Sequence, residues 1–353
     1  MTTTLLMTGV SGFLGSTLCA SLLEGGGCRV LSLAPDDADG AAARAAVVEA
    51  LKGLGADPAL AEAIEPLTAD LLDPASLARL DLSGVEAIWH VAARMSYAFD
   101  QFVETMDFNV NGAARLMAAS DPKTRFYYIS TTGIVGPGDT HGGTVREDLV
   151  EIFEPLNPYT VSKQLAEKTL YGLSVSKKQP LAVLRPGSII GNSDTGWSNG
   201  TRYGYYSYLQ AFKRYLGRMP TFAVGIDPER TFPIIHVDHL ARACRALSER
   251  THIEPFEVFH LVNAGAFTVS EHFRIFEELV DGRMKITYGA GENAANRAFN
   301  SLNADNNRFM GTRHRFETGA LARAIGVDKA PPALTRDGVA RVISHYLNVG
   351  VAA

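Results

Sequence analysis

Cysteine is scarce in this chain. Cys19, Cys28 and Cys244 are the full complement, and none has a CxxC or metal-ligand spacing. Three scattered thiols exclude a disulfide framework, fit a reducing compartment and leave no metal site to expect. Long apolar runs are missing too. No segment is expected to span a bilayer, and Met1-Thr-Thr-Thr lacks the basic start and apolar stretch of a secretory leader. These absences point to a cytoplasmic protein. Basic residues are in deficit: 33 Lys and Arg against 38 Asp and Glu leave a net charge of −5, so no nucleic-acid partner is expected. Internal repeats and low-complexity linkers are absent as well. What remains is ordinary for a globular protein: 353 residues, 46% apolar and 20% charged, enough to bury a sizeable core in one large domain or two.

The first half alternates short apolar runs with helix-like stretches, the pattern of an α/β, doubly wound parallel sheet of about seven strands. The expected strands are Leu5–Thr8, Arg29–Leu33, Ile64–Leu67, Ala87–Val91, Phe126–Ile129, Leu181–Leu184 and Val258–Val262. Helices are expected at Gly12–Leu23, Ala41–Leu54, Pro74–Leu80, Phe102–Ser120 and Pro158–Leu173. Gly25-Gly-Gly27 suits a helix stop, and Asp73-Pro74 and Asp121-Pro122 suit element boundaries. After Leu184 the character changes to a polar, Gly-rich and aromatic stretch over Asn192–Tyr208. The division expected is a nucleotide-binding domain at 1–185 plus 240–265, and a smaller substrate lobe at 186–239 plus 266–353.

Thr8-Gly9-Val-Ser-Gly12-Phe13-Leu14-Gly15 follows a strand and opens a helix. Its glycines allow a tight turn and close backbone approach to a pyrophosphate resting on the helix N-terminus. Thr8, Gly9, Gly12, Phe13, Leu14 and Gly15 are therefore the first cofactor-binding candidates. An acid at the tip of the second strand would hold the ribose 2′-OH of NAD(H), but that strand ends in Ala34-Pro35, with Asp36 and Asp37 just beyond. Arg44 is either a 2′-phosphate partner or a surface arginine, and NADP(H) is favoured over NAD(H). Asp70-Leu71 ends the third strand, where a carboxylate can accept from an adenine amino group. Trp89-His-Val-Ala92-Ala93 ends the fourth, its small residues admitting the cofactor ribose, with His90 read as structural. Asn109 is a positioning residue behind a lysine or a buried hydrogen bonder.

Tyr159 and Lys163 stand four residues apart in Asn157-Pro-Tyr-Thr-Val-Ser-Lys163, stacked on one helix face. A lysine ammonium there is expected to lower the phenol's pKa and make it a proton donor or acceptor near neutral pH. From the hydroxyl cluster Ser130-Thr131-Thr132, Thr131 is expected to polarise a substrate carbonyl, with Thr132 next in line.

Together these residues resemble the extended short-chain dehydrogenase/reductase family, over about residues 4–265. The matching features are the TGxxGxxG turn, Asp70-Leu71, His90-Val-Ala-Ala93, Asn109-Val-Asn-Gly112, Ser130-Thr131, Tyr159-x-x-x-Lys163, Arg185-Pro186 and His236-Val-Asp238. The resemblance implies a Rossmann-type sheet and hydride transfer at a nicotinamide. It implies Tyr159 as acid/base, Lys163 holding the cofactor ribose, Thr131 at the carbonyl, and Pro186 and Ser188 facing the nicotinamide.

Two stretches, Leu31–Asp37 with Ala43–Lys52 and Arg185–Asn199, are similar to the thioester reductase and fatty acyl reductase branch. That implies NADPH-dependent reduction of a carrier-protein- or CoA-bound acyl group to aldehyde or alcohol. There are departures: Ala34 replaces an arginine common in that branch, and the C-terminal lobe is shorter. Arg230-Thr-Phe-Pro-Ile-Ile-His236 is similar instead to sugar-nucleotide epimerases, one residue out of step, so Arg230 is a substrate contact or an ion-pair residue. Met95 and Tyr203 are further substrate candidates; the run Tyr203, Tyr205, Tyr206 and Tyr208 either lines an apolar mouth or packs the lobes. A ketone reductase on a bulky apolar substrate needs the same Thr–Tyr–Lys set, so these residues do not separate the two. Monomer and homodimer both remain open.

Overall fold

The computed structural model describes residues 2–139, 142–151, 154 and 156–348. In chain order the strands begin β1 (Thr3–Thr8), β2 (Cys28–Ala34), β3 (Ile64–Thr68), β4 (Val85–His90), β5 (Arg125–Ile129) and β6 (Thr144–Val145). They continue as β7 (Leu181–Pro186), β8 (Ser188–Ile190), β9 (Thr221–Val224), β10 (Ile234–His236), β11 (Phe256–Leu261), β12 (Lys285–Tyr288) and β13 (Arg315–Phe316). The first helices are α1 (Phe13–Glu24), α2 (Ala41–Leu54), α3 (Pro74–Ala78), α4 (Phe102–Met106), α5 (Ala113–Ala119) and α6 (Pro158–Lys177). The second half adds α7 (Tyr205–Tyr215), α8 (Val237–Ser248), α9 (Val269–Leu279), α10 (Ala294–Leu302), α11 (Ala304–Met310), α12 (Gly319–Ile325) and α13 (Arg336–Leu347).

Seven of these strands form one parallel sheet in the order β11-β7-β5-β4-β1-β2-β3. This is the doubly wound, Rossmann-type α/β sheet that the alternating pattern predicts. All six residues of β7 are buried, as a strand covered by helices on both faces requires. The strand order reverses between β1 and β4, and a ligand crevice opens at such a switch point.

The helix expected over Phe102–Ser120 is broken in its middle. A wider π turn spans Asp107–Gly112 between α4 and α5. Such turns insert a residue into the helical ladder and often mark functional positions; Asn109 sits inside this one. The aromatic stretch also separates. Tyr205, Tyr206 and Tyr208 are buried with Phe212, Phe222 and Phe273 in a core distinct from the one under the sheet, and Tyr205 and Tyr206 also reach the crevice at the switch point. Tyr203 is 70% exposed.

Cys19 and Cys244 are buried in the sheet-side core, and burial raises the pKa of both thiols. Cys28 is half-buried, its pKa also raised by burial, and it donates to the Leu22 carbonyl at 3.4 Å. Among the described residues no helix is long and apolar enough to cross a membrane, and no cluster could hold a metal ion.

Candidate active site

Above the switch point lies a cleft of about 480 Å³. One wall is the glycine turn, and the glycines there serve separate ends. Gly9 has φ +71°, and a Cβ on it would lie 2.8 Å from the Ala92 nitrogen. A Cβ on Gly15 would lie 1.9 Å from the Gly9 carbonyl oxygen. Gly12 caps α1 without a side chain to occupy the first-turn N–H groups, so these N–H groups and the helix dipole are left to an anion. A dinucleotide pyrophosphate fits this cradle. Gly15→Ala is therefore expected to weaken nucleotide binding at least tenfold, read by titration; unchanged affinity would remove the turn from the site.

Four of the residues expected at the cofactor, Thr8, Arg44, Asp70 and Leu71, are engaged elsewhere or lie outside the cleft lining. The Thr8 hydroxyl accepts from the Val91 and Ala92 N–H groups at 3.1 and 3.0 Å and lies 2.9 Å from His90 Nδ1. It clasps β1 to the end of β4 beneath the turn, so Thr8 supports the cradle from below. With its acceptor capacity used, the hydroxyl donates to Nδ1, which fixes His90 as the Nε2–H tautomer. Burial, then Lys163, pushes the His90 pKa down to about 3, so it is neutral and structural. Arg44 is held by backbone carbonyls. Its guanidinium donates to the carbonyls of Ile64, at 3.0 Å, and Asp39, and it lies outside the cleft lining, so it is a loop-holding residue here. Asp70 and Leu71 also lie outside the lining; the Asp70 carboxylate accepts from its own turn, at Leu72 N–H, 2.8 Å away.

Asn109 is a buried hydrogen bonder. Its amide bonds both backbone groups of Arg94 and donates to Ser162 Oγ at 2.8 Å, tying the loop after β4 to α6 one residue before Lys163. The π turn aims it there.

Helix α6 begins so firmly because Asn157 and Thr160 form a reciprocal capping box and Pro158 takes the first helical position. That start places Tyr159 in the first turn and Lys163 in the second, both lining the cleft. Lys163 is 1% exposed; its ammonium donates to the Ile129 carbonyl at 2.7 Å and stands 4.7 Å above the Tyr128 ring. Burial pushes its pKa down to about 7, against the opposing pull of Glu167 one turn on. The expected lowering of the Tyr159 pKa does not appear: burial, then the Tyr97 phenol, raises it. The two tyrosine rings are 6.4 Å apart.

Thr131 lines the cleft with extended backbone, its Oγ accepting from Gly133 N–H at 3.1 Å while its own proton stays free to donate. Thr132 starts the following turn outside the lining. Ala92, Met95, Pro186, Ser188 and Tyr203 line the cleft, as do Ser130 of the hydroxyl cluster and Tyr205 and Tyr206 of the tyrosine run; Tyr97 and Met310, which sequence reasoning passed over, join them. Met310 reaches the cleft from a helix more than a hundred residues away in sequence, and no local pattern marks it.

Arg230 is elsewhere. It pairs with Asp139 and, at 3.6 Å, with Asp227, and its guanidinium also donates to the Gly311 carbonyl at 3.4 Å. The ion-pair alternative is the one this geometry supports.

A family model described as "Male sterility protein" matches residues 7–244. Among curated proteins, the chain is 27% identical over 274 residues to glycine betaine reductase ATRR of Emericella nidulans, covering 73% of this chain and 21% of that protein. It is 30% identical over 208 residues to sterol demethylase protein B of Methylococcus capsulatus, covering 56% of this chain and 58% of that one. The chain thus spans about a fifth of the first relative's length and under two thirds of the second's. Among solved structures, the terminal R domain from the myxalamid PKS-NRPS biosynthetic pathway superposes with a TM-score of 0.78 at 21% identity, covering 98% of this chain and 91% of that one.

Proposed function

This chain belongs to the male sterility protein family, in the thioester reductase-like branch of the extended short-chain dehydrogenase/reductases, and from that premise we propose that it reduces an acyl thioester to an aldehyde with NADPH. The observation carrying the reading is the meeting, in one largely apolar cleft, of an uncapped helix N-terminus with Thr131, Tyr159 and Lys163. A reduced nicotinamide bound beside them would supply a hydride to the acyl carbon. Gly9, Gly12 and the N–H groups of Phe13, Leu14 and Gly15 would hold its diphosphate, and Lys163 its ribose.

The protein's own part is electrostatic. Thr131 and Tyr159 both have a hydroxyl proton to direct at the acyl oxygen, and burial keeps the phenol protonated through neutral pH. Collapse of the resulting tetrahedral oxyanion breaks the carbon–sulfur bond; the thiolate leaves, takes a proton from solvent, and an aldehyde remains. If reduction continues to the alcohol, Tyr159 donates the proton. Met95, 46% exposed, and Tyr203 stand at the mouth, where an acyl group tethered to a carrier would enter. The pairing of Arg230 outside the cleft weighs against a nucleotide sugar. NADPH is preferred because Ala34 replaces the ribose-binding acid and Asp37 is occupied in accepting from Ala42 and Ala43 N–H groups.

The test is turnover by purified protein with NADPH or NADH against acyl-CoA, acyl-phosphopantetheine, ketones and UDP-sugars. Release of free thiol in step with NADPH oxidation is the expected result. Turnover of ketones alone would replace the thioester reading, and interconversion of UDP-sugars without net cofactor consumption would overturn the reductase.

A further inference from the structure

The loop after β8 crosses from the aromatic lobe to the glycine turn, and it is built to be rigid. At its root the Asn192 side chain accepts from Asp194 and Thr195 N–H groups at 2.8 and 2.9 Å, and Asn192 N–H closes the loop on the Trp197 carbonyl at 2.9 Å. Asp238, 2% exposed in the first turn of α8, takes both the N–H and the hydroxyl of Ser193, at 2.8 and 2.9 Å. Arg341 of α13 donates to the Ser193 carbonyl at 3.0 Å.

At its tip the loop lands on the opposite side. The Trp197 indole lies against the last turn of α2, where a Cβ on Gly53 would sit 2.2 Å from the ring. Its other neighbour is Phe13, the first residue of α1, with ring centroids 5.9 Å apart. Thr195 Oγ lies 3.4 Å from the Gly53 carbonyl and reinforces the landing. Only glycine admits the ring at that point on α2.

We propose that Trp197 is a positioning residue for the cofactor: wedged between Gly53 and Phe13, it holds the N-terminus of α1 in the orientation that receives the diphosphate. The inference rests on the nicotinamide reading of the cleft. The force runs from Asp238 and Arg341 through the loop to Phe13, whose N–H belongs to the anion cradle. Trp197 touches that cradle only from outside, since it does not line the cleft. An apolar wedge suits the task because it fills space without competing for the N–H groups.

Its test uses the full chain and NADPH as the probe. The chain has two tryptophans, and the other, Trp89, is fully buried and stacked on Tyr127 at 4.0 Å. Reduced nicotinamide absorbs where tryptophan emits, so binding is read by quenching in the wild type and by calorimetry in every variant. Trp197→Ala and Gly53→Ala are each expected to weaken NADPH binding about tenfold, the loss usual for an aromatic anchor, while kcat at saturating cofactor and Tm hold. Trp197→Phe should recover most of the affinity. Wild-type affinity in both alanine variants overturns the proposal. So does a loss that phenylalanine does not rescue and that comes with a fallen Tm. Failure of the wild type to bind either nicotinamide dinucleotide overturns the cofactor reading beneath it.

Discussion

Tyr159→Phe is expected to lower kcat/KM for reduction by about 10²–10⁴-fold, the range over which a positioned proton donor contributes. The ring, its packing against Tyr97 and the capped start of α6 all survive the change, so Tm should hold. Single-turnover rates at saturating NADPH are the measure, and a variant within threefold of wild type would remove Tyr159 from the chemistry. Lys163 gives the same site a pH signature. Its pKa is pushed down to about 7 by burial, so the ammonium proposed to hold the cofactor ribose is mostly charged only below that pH. The kcat/KM for NADPH, which reports the free enzyme, should fall as pH rises through about 7. The phenol runs the other way: raised by burial, it remains a donor through that window. Lys163→Met should remove the inflection along with most of the cofactor affinity.

Breaking the buried pair between Glu167 and Arg185 is expected to cost about 3–5 kcal/mol of stability, the usual consequence of stranding one charge in a protein interior. Both side chains are 1% exposed and meet through two hydrogen bonds, at 3.0 and 2.6 Å. Arg185 Nη1 also lies 3.4 Å from His260 Nε2, and His260 Nδ1 lies 2.7 Å from the Glu317 carbonyl. Nδ1 donates to that carbonyl, so Nε2 is the bare acceptor facing Arg185. Burial, then Arg185, holds the His260 pKa down to about 4, consistent with the neutral ring. The pair fastens α6, one turn beyond Lys163, to β7, one residue before Pro186. Glu167→Gln should therefore lower the denaturation midpoint sharply, and Glu167→Met with Arg185→Met should recover much of the loss. An unmoved midpoint in the single variant would show that the two charges are solvated in solution.

Local patterns made the sheet, the glycine turn and the Tyr159–Lys163 pair legible, because each is written within a few consecutive residues. The π turn was not, since nothing in Asp107–Gly112 distinguishes one inserted residue from a regular helix. Arg44 and Asp70, whose polar atoms already have backbone partners, show another limit. A motif position says which strand end a residue occupies, while the loop it grows from decides whether its polar atoms are already taken. Thr131 and Ser130 show the same limit in milder form: neighbours in one cluster, one capping a turn and the other with an unpartnered hydroxyl. The cleft wall built by Tyr97, Tyr205 and Met310 depends on how the second lobe closes, a long-range outcome that periodicity does not carry.

The buried cysteines have a bearing on the proposed thioester chemistry. Acyl thioesters trade their acyl group readily with any accessible thiolate, and a stray one would divert the substrate into dead-end acylated enzyme. Here two of the three sulfurs are sealed in the core and the third is engaged on a carbonyl, and burial raises the pKa of all three, which favours the unreactive thiol. On the proposed thioester reading, the fold thereby silences its own thiols as competing nucleophiles.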